Sequence, residues 1–352
     1  MNPEMAPYRW QDLTMAPMLT IAIPTFNRAG FLQNLLKLLK DEVSTLAAVE
    51  VLVSDNGSTD GTDAVIAMFS AVWPALVSTR SKSNIGADNN IRRCFDLARG
   101  RYIWIMGDDD LPARGLVRGV LAIIARECPD AIYMTSVWRE VVVPDEIPIV
   151  VDPLRYAKLD RLIFAEAVNV WFTFISGIIV RKTGLFPPRH PDAGSFVGTN
   201  LVQLGWVLEA VKQGQTFIFI PEPCIVATAA NSGGYAVLAT FGDIFSKIVG
   251  QVFGDASEIA RKIIRKNLID YMPGLIWSVR FQVRDQFSNE DLYKVLRPAL
   301  GKYLVFWLLL LPIGMLPKTL ARLFFLVARA RTKIAELRGR SIIRATSQVT
   351  GF

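Results

Sequence analysis

The sequence predicts an α/β fold, a mostly parallel sheet flanked by helices, followed by a helical carboxyl-terminal region. Two observations predict the sheet. Apolar strand-like runs alternate with helix-period segments five times over roughly 130 residues, the pattern of repeated β–α–β units. Each run also ends in a polar loop, at residues 25–28, 55–58, 84–86 and 108–110. In parallel sheets ligands bind outside the carboxyl ends of the strands, so these loops should gather at one edge.

The elements follow in order. Residues 20–26 read as a short buried strand ending in a turn, with Asn27 and Arg28 next. Phe31, Leu32, Leu35, Leu36, Leu38 and Leu39 then recur at helical spacing. A second strand over 49–54 closes in the Asp-, Asn- and Gly-rich turn 55–61, and a helix follows over 62–69. A third strand over 75–79 leads through Asn84-Ile85-Gly86 into a helix from about 88 to 98. Residues 102–107 form the fourth strand, and 116–126 are helical. Further along, 141–144 and 174–180 read as strands, 201–211 as an apolar helix and 231–235 as a loop. The amphipathic stretch 259–283 is expected to pack the tail onto the domain.

The fourth strand ends in Asp108-Asp109-Asp110. Three adjacent like charges repel unless a positive charge offsets them. Oxygen ligands of this kind suit a hard divalent cation such as Mg2+ or Mn2+, usually completed by substrate phosphates. One acid can cap a helix, and Asp110 before Leu111-Pro112 fits that role; three exceed it. On its own, Asp55-Asn56-Gly57 is equally an ordinary turn.

The runs IAIPTFNR, VLVSDNGSTDGT and NIGADNNIRRCFDLARGRYIWIMGDDDLP together resemble the nucleotide-binding half of the family 2 glycosyltransferases, over roughly residues 18–140. The fold implied is GT-A, a Rossmann-like sheet flanked by helices. The chain is most similar to the O-antigen-type branch that includes abequosyltransferases, because Gly107 stands where most members carry the first acid of an Asp-x-Asp motif. The resemblance implies inverting, metal-dependent transfer of a sugar from a nucleoside diphosphate donor to a hydroxyl. It implies that Pro24, Thr25, Asn27 and Arg28 line the nucleotide. Asp55 would bond the base, with Asn56 beside it, and Asn84 and Gly86 would approach the ribose and phosphates. Asp109 would be the main metal ligand, with Asp108, which would also line the nucleotide sugar, or Asp110, which would also be a catalytic group, assisting.

The second half departs from the family. An inverting transferase needs a group to take the acceptor proton. The family usually supplies a Glu-Asp pair about 90 residues beyond the metal motif. Here that place falls at Gly198-Thr199-Asn200, with no acid. Asp192 is the preferred candidate base, with His190 and Glu209 as alternatives, and His190, Thr199 and Asn200 are candidate acceptor contacts.

Composition bounds the remainder. Cys94, Cys128 and Cys224 form no metal-binding spacing and no disulfide framework, which fits a reducing cytoplasm. Residues 1–18 lack a basic start and an apolar core, so no secretory signal is expected. Residues 19–250 are expected to form the catalytic domain, with a nucleotide-sugar half to 140 and an acceptor half from 141. Residues 251–352 form the helical region. From Lys318 onward eight basic residues face Glu336 alone, which accounts for the whole net charge of +7. The 14 residues 303–316 are all uncharged, and as a helix would span about 21 Å, short of a bilayer core. Apolar helices bordered by arginine predict a short anchor over about 303–330, with anionic membrane lipids as partner rather than nucleic acid. The expected setting is the cytoplasmic face of the inner membrane, with a lipid-linked saccharide, polysaccharide or lipid as acceptor. Two alternatives stand beside this reading, a sugar nucleotidyltransferase and a non-catalytic membrane-bound nucleotide-sugar binder.

Overall fold

The computed structural model describes residues 16–140, 142, 144–150, 154–184, 195–229, 236–281 and 290–346. Among the described residues nine strands form one sheet. They are β1 (Leu19–Thr25), β2 (Val49–Asp55), β3 (Leu76–Arg80), β4 (Tyr102–Ile105), β5 (Leu111–Pro112), β6 (Ala131–Arg139), β7 (Ala157–Leu159), β8 (Ile178–Arg181) and β9 (Phe217–Thr228). The order is β3-β2-β1-β4-β8-β6-β9-β5, with β7 also paired to β9. The first four strands are mutually parallel. β8 runs antiparallel between β4 and β6, so β6 and β9 again point the same way as β4. The carboxyl ends of β1, β2, β4, β6 and β9 therefore share one edge.

The helices are α1 (Ala29–Val43), α2 (Thr62–Val72), α3 (Ala87–Leu97), α4 (Leu116–Glu127), α5 (Arg161–Val168) and α6 (Leu204–Gln213) in the sheet region. The carboxyl-terminal region adds α7 (Phe245–Phe253), α8 (Glu258–Lys266), α9 (Met272–Phe281), α10 (Leu292–Leu300), α11 (Leu311–Met315) and α12 (Lys318–Thr346). Strand side chains alternate between the two faces. Ile21, Ile23, Trp104 and Met106 pack with Leu32, Leu35 and Leu36 of α1 and Val120 and Ile123 of α4 on one face. Ala22, Ile103 and Ile105 pack with Phe95 of α3, Trp206 of α6 and the carboxyl-terminal helices on the other. Each such buried aliphatic side chain contributes about 1.5–3 kcal/mol.

The expected elements of the first half all appear, within a few residues of their expected ends. The second half needs correction. Of the strand expected at 141–144, residues 141 and 143 lie outside the described residues, Val142 is not strand and Pro144 opens a short 3-10 turn; the strand before them, β6, ends at Arg139. In 174–180 only the end is strand; Ile175–Gly177 is a 3-10 turn before β8. The helix expected from 201 starts at Leu204. The stretch 259–283 is helical through α8, a π-helical turn at Asn267–Tyr271 and α9 as far as Phe281; residues 282 and 283 lie outside the described residues. Asp110 caps no helix either, since β5 follows it and Gly115 precedes α4. The expected loop at 231–235 lies outside the described residues.

Among the described residues no helix is long and apolar enough to cross a membrane. The expected anchor is a broken hairpin, with a π-helical turn at Phe306–Leu310 running into α11 and then α12. One side is core, with Phe306, Leu310, Ile313 and Ala321 fully buried. The other side exposes Leu304, Leu308, Met315, Leu323, Leu326 and Val327.

Candidate active site

The site is built where β4 stops. Met106 still donates to the carbonyl of Ala22, extending the β1–β4 pairing by one residue. The chain then turns at Gly107 and delivers Asp108, Asp109 and Asp110, each more than nine-tenths buried. A Cβ on Gly107 would lie 3.0 Å from Asp110 Oδ2 and 3.1 Å from Asp109 Oδ1, so any larger residue there requires these carboxylates to give way.

The three acids have different partners. Arg28, just after β1, donates through one nitrogen to Asp108 Oδ1 at 3.2 Å and Asp109 Oδ2 at 2.7 Å. Thr25, the last residue of β1, donates to Asp108 Oδ2 at 2.7 Å. Asp110 turns the other way. Its Oδ2 accepts from Ser176 Oγ at 2.5 Å and its Oδ1 from the Thr228 backbone at 3.2 Å. Thr228 Oγ1 also donates to the Asp109 carbonyl. Burial pushes Asp108 up to about 6, against the pull of Arg28 and Thr25. Burial, then the neighbouring Asp109 charge, pushes Asp110 up to about 7. Burial opposes the Arg28 charge, yet the two carboxylates outweigh it and raise its pKa.

The three carboxylates therefore do not converge, and among the described residues no group of three His, Cys, Asp or Glu side chains is placed to hold a metal ion. Asp110, expected as an assisting ligand and catalytic group, is held by β9 and the turn before β8. Asp108 and Asp109 do converge, on the Arg28 cation. Two hard oxygen donors already gathered around one positive charge fit a divalent cation completed by phosphate oxygens.

The base-side loops also meet. Asp55 ends β2 fully buried. Its Oδ1 accepts from the Ser58 backbone at 2.9 Å, while Oδ2 makes no hydrogen bond and lies 3.4 Å from Arg80 Nε. Oδ2 thus has the Arg80 charge beside it but no hydrogen bond, and a ligand N–H would supply one. Asn56 donates to Asn84 Oδ1 at 2.9 Å and accepts from the Ile85 backbone, and Asn84 Oδ1 also accepts from the Gly86 backbone. Asn27 staples the first two loops, its Oδ1 accepting from the Thr59 backbone at 2.7 Å. Pro24, the penultimate β1 residue, pairs in register with Ser54.

On the acceptor side, His190 and Asp192 lie outside the described residues. Glu209 is engaged on its own helix, with Gln213 and Lys212. The Thr199 hydroxyl is used within its turn, donating to the Phe196 carbonyl and accepting from the Leu201 backbone. The backbones of Gly198 and Asn200 both donate to Asp88 Oδ2, at 2.7 and 3.0 Å. Both residues have positive φ, 89° and 61°, a conformation that glycine adopts freely and that is uncommon at Asn200. Sequence reasoning missed Arg80, Asp88, Ser176 and Thr228. Only Asp88 gave a local signal, an acid two residues beyond the Asn-Ile-Gly turn.

Residues 20–174 match the model of glycosyl transferase family 2. The chain is 34% identical over 230 residues to the abequosyltransferase RfbV of Salmonella typhimurium strain LT2, covering 61% of this chain and 67% of that one. Its fold resembles Staphylococcus aureus TarS 1–349, with a TM-score of 0.57 at 16% identity over 91% of both chains. It also resembles the mannosyltransferase PcManGT of Pyrobaculum calidifontis, solved with GDP-Man and Mn2+, with a TM-score of 0.50 at 16% identity over 91% of this chain and 88% of that one. With the converging loops and buried acids, these similarities assign the chain: it belongs to glycosyl transferase family 2 and is a glycosyltransferase.

Proposed function

We propose that this glycosyltransferase moves a sugar, with inversion, from a nucleoside diphosphate donor to a lipid-linked saccharide or lipid at the cytoplasmic membrane face. The observation that carries the donor reading is the junction of Arg28 with Asp108 and Asp109 at the strand ends, two strands from the buried, half-satisfied Asp55. Asp55 Oδ2 accepts from a base N–H. Asn56, Asn84 and Gly86 shape the loop beside the ribose. Pro24, Thr25 and Asn27 hold the first loop against the second. Asp108 and Asp109 would hold Mn2+ or Mg2+, which would offset charge on the leaving diphosphate. Arg28 supplies fixed positive charge at the same place. Asp110 braces the acidic turn through Ser176 and Thr228. The proton of the incoming hydroxyl is assigned to Asp192, with Asn200 and His190 beside the acceptor. Solved TarS 1–349 with UDP-GlcNAc, and the mannosyltransferase with GDP-Man and Mn2+, lend support by the ligands they bind.

The membrane part is supported by the exposed leucine row of the terminal hairpin and its cationic border of Lys318, Arg322 and Arg329. Apolar side chains ringed by cations enter one leaflet while the charges meet anionic headgroups.

The test is a thermal-shift screen of UDP-, GDP-, CDP- and dTDP-sugars with and without Mn2+, followed by transfer assays on the stabilising donor. One class of nucleotide sugar should stabilise the protein, and more so with the metal. No stabilisation by any would remove the donor reading, and binding without transfer or hydrolysis would favour the non-catalytic binder.

A further inference from the structure

Trp138 is the next-to-last residue of β6 and is 43% exposed. It does not stand alone. Its ring lies 4.9 Å from Phe174, tilted by 51°, and 6.0 Å from Trp171, tilted by 37°. Trp171 in turn meets Tyr271 edge-on at 5.7 Å, and Tyr271 meets Phe241 at 5.5 Å, within the carboxyl-terminal helices. The outermost indole is thus set by a row of aromatic neighbours.

Two short paths tie this surface to the acidic turn. Phe174 begins the turn whose Ser176 donates to Asp110 and accepts from the Gly107 backbone. A Cβ on Gly177 would meet the Phe174 ring at 2.8 Å, so glycine is what lets that ring lie over the turn. On the other side Trp138 pairs with Ala227, and Arg139 pairs with Thr228, which holds Asp110 and the Asp109 carbonyl.

The sheet order places it relative to the donor. Asp55 ends β2, the acids follow β4 and Trp138 ends β6. β4 lies two strands from each, about 10 Å at the usual spacing, so Trp138 is roughly 19 Å from the base pocket. On the glycosyl-transfer reading, a nucleoside at Asp55 with its diphosphate at Asp108 and Asp109 would run along the sheet edge from β2 toward β4, and β6 lies further in that direction.

We propose that Trp138, braced by Phe174 and Trp171, is a stacking platform for a pyranose ring of the acceptor saccharide. The proposal rests on the glycosyl-transfer reading. One face of a pyranose carries C–H groups that pack on the electron-rich face of an indole. Its equatorial hydroxyls remain free to point at polar groups, and here those lie along the acidic turn. The row of rings also leads from this platform toward the helices that bear the exposed leucines, which suits a saccharide carried on a lipid.

The experiment uses the full chain and saturation-transfer NMR with methyl glycosides of glucose, galactose and mannose, which have no acyl chain to seat on the hairpin. Wild-type protein should saturate the ring protons of at least one. In Trp138→Ala that glycoside should bind about fivefold more weakly or lose its signal, and in Trp138→Phe it should be largely retained. The thermal shift by the stabilising nucleotide sugar should be the same in all three proteins, which also shows that the variants fold. Equal ring saturation in wild type and Trp138→Ala, or none in wild type for all three glycosides, overturns the platform. Loss of the nucleotide shift in wild type overturns the donor reading instead.

Discussion

Arg28 is the only cation hydrogen-bonded to Asp108 and Asp109 among the described residues, and both acids are buried while the arginine is about one-third exposed. Removing one partner of such a pair leaves uncompensated charge. Arg28→Met should therefore lower stability by about 1–3 kcal/mol, less than for a fully buried pair because water screens the guanidinium. Added Mn2+ should restore part of that loss, and should raise the melting temperature of the variant more than that of wild type. Equal responses to Mn2+ in thermal unfolding would show that the two acids do not gather a cation. Asp55 has one oxygen committed to Ser58 and one without a hydrogen bond. Asp55→Asn keeps an acceptor for Ser58 but loses the carboxylate. It should weaken nucleoside diphosphate binding by about 1–3 kcal/mol in calorimetry, the range for a buried hydrogen bond to a charged group. Unchanged affinity would reduce Asp55 to a turn residue.

Between elements, Asp88 is the strut that joins the donor-side helix α3 to the turn before α6. Its carboxylate collects two backbone amides 110 and 112 residues away. Asp88→Ala should free that turn, speeding amide exchange at residues 198 and 200 and costing about 1–3 kcal/mol of stability. Asp88→Asn should retain most of the protection, because one oxygen accepts both bonds. Exchange unchanged in the alanine variant would mean that the turn holds itself. Such struts explain which parts of the site could be read from sequence. Residues 25–28, 55–58, 84–86 and 108–110 sit at the ends of locally patterned strands, and period and turn chemistry place them without any knowledge of distant contacts. Ser176 and Thr228 belong to an antiparallel insertion and to a strand interrupted after Ile220, where the pairing with β6 slips from Met134↔Ile220 to Ser136↔Ile225. Pro221 and Pro223 in that slip hide the strand from any alternation test. Their meeting with Asp110 is made by the sheet order, which no local pattern encodes.

At the scale of the molecule, the carboxyl-terminal helices do two jobs with opposite faces. Phe306, Leu310 and Ile313 join the same core that β1 and β4 build, so deleting the region would open that core. Substitution on the outer face is the cleaner probe. Leu308→Asp with Leu323→Asp, at positions 67% and 59% exposed, should leave the melting temperature nearly unchanged and release the protein from anionic liposomes in flotation. Wild-type protein that ignores such liposomes would make the leucine row an interface of another kind. The sequence revealed the apolar and basic composition of this region. It did not reveal that the residues divide between core and surface, because both faces are leucine-rich and the division depends on what the sheet leaves uncovered.

Gly107 has a further consequence, for how this site can change over generations. Its missing side chain and the positions of Asp109 and Asp110 are fitted to each other, with oxygens 3.0 and 3.1 Å from where a Cβ would stand. An acid placed at 107 would meet both oxygens and add a fourth negative charge beside them. Asp110 Oδ2 would have to give way against its bond to Ser176. The space at residue 107 and the place of the carboxylate at residue 110 are therefore coupled. The effect of Gly107→Asp should depend on whether residue 110 has already been changed, and a double-mutant cycle on thermal stability would reveal that dependence as a non-additive term.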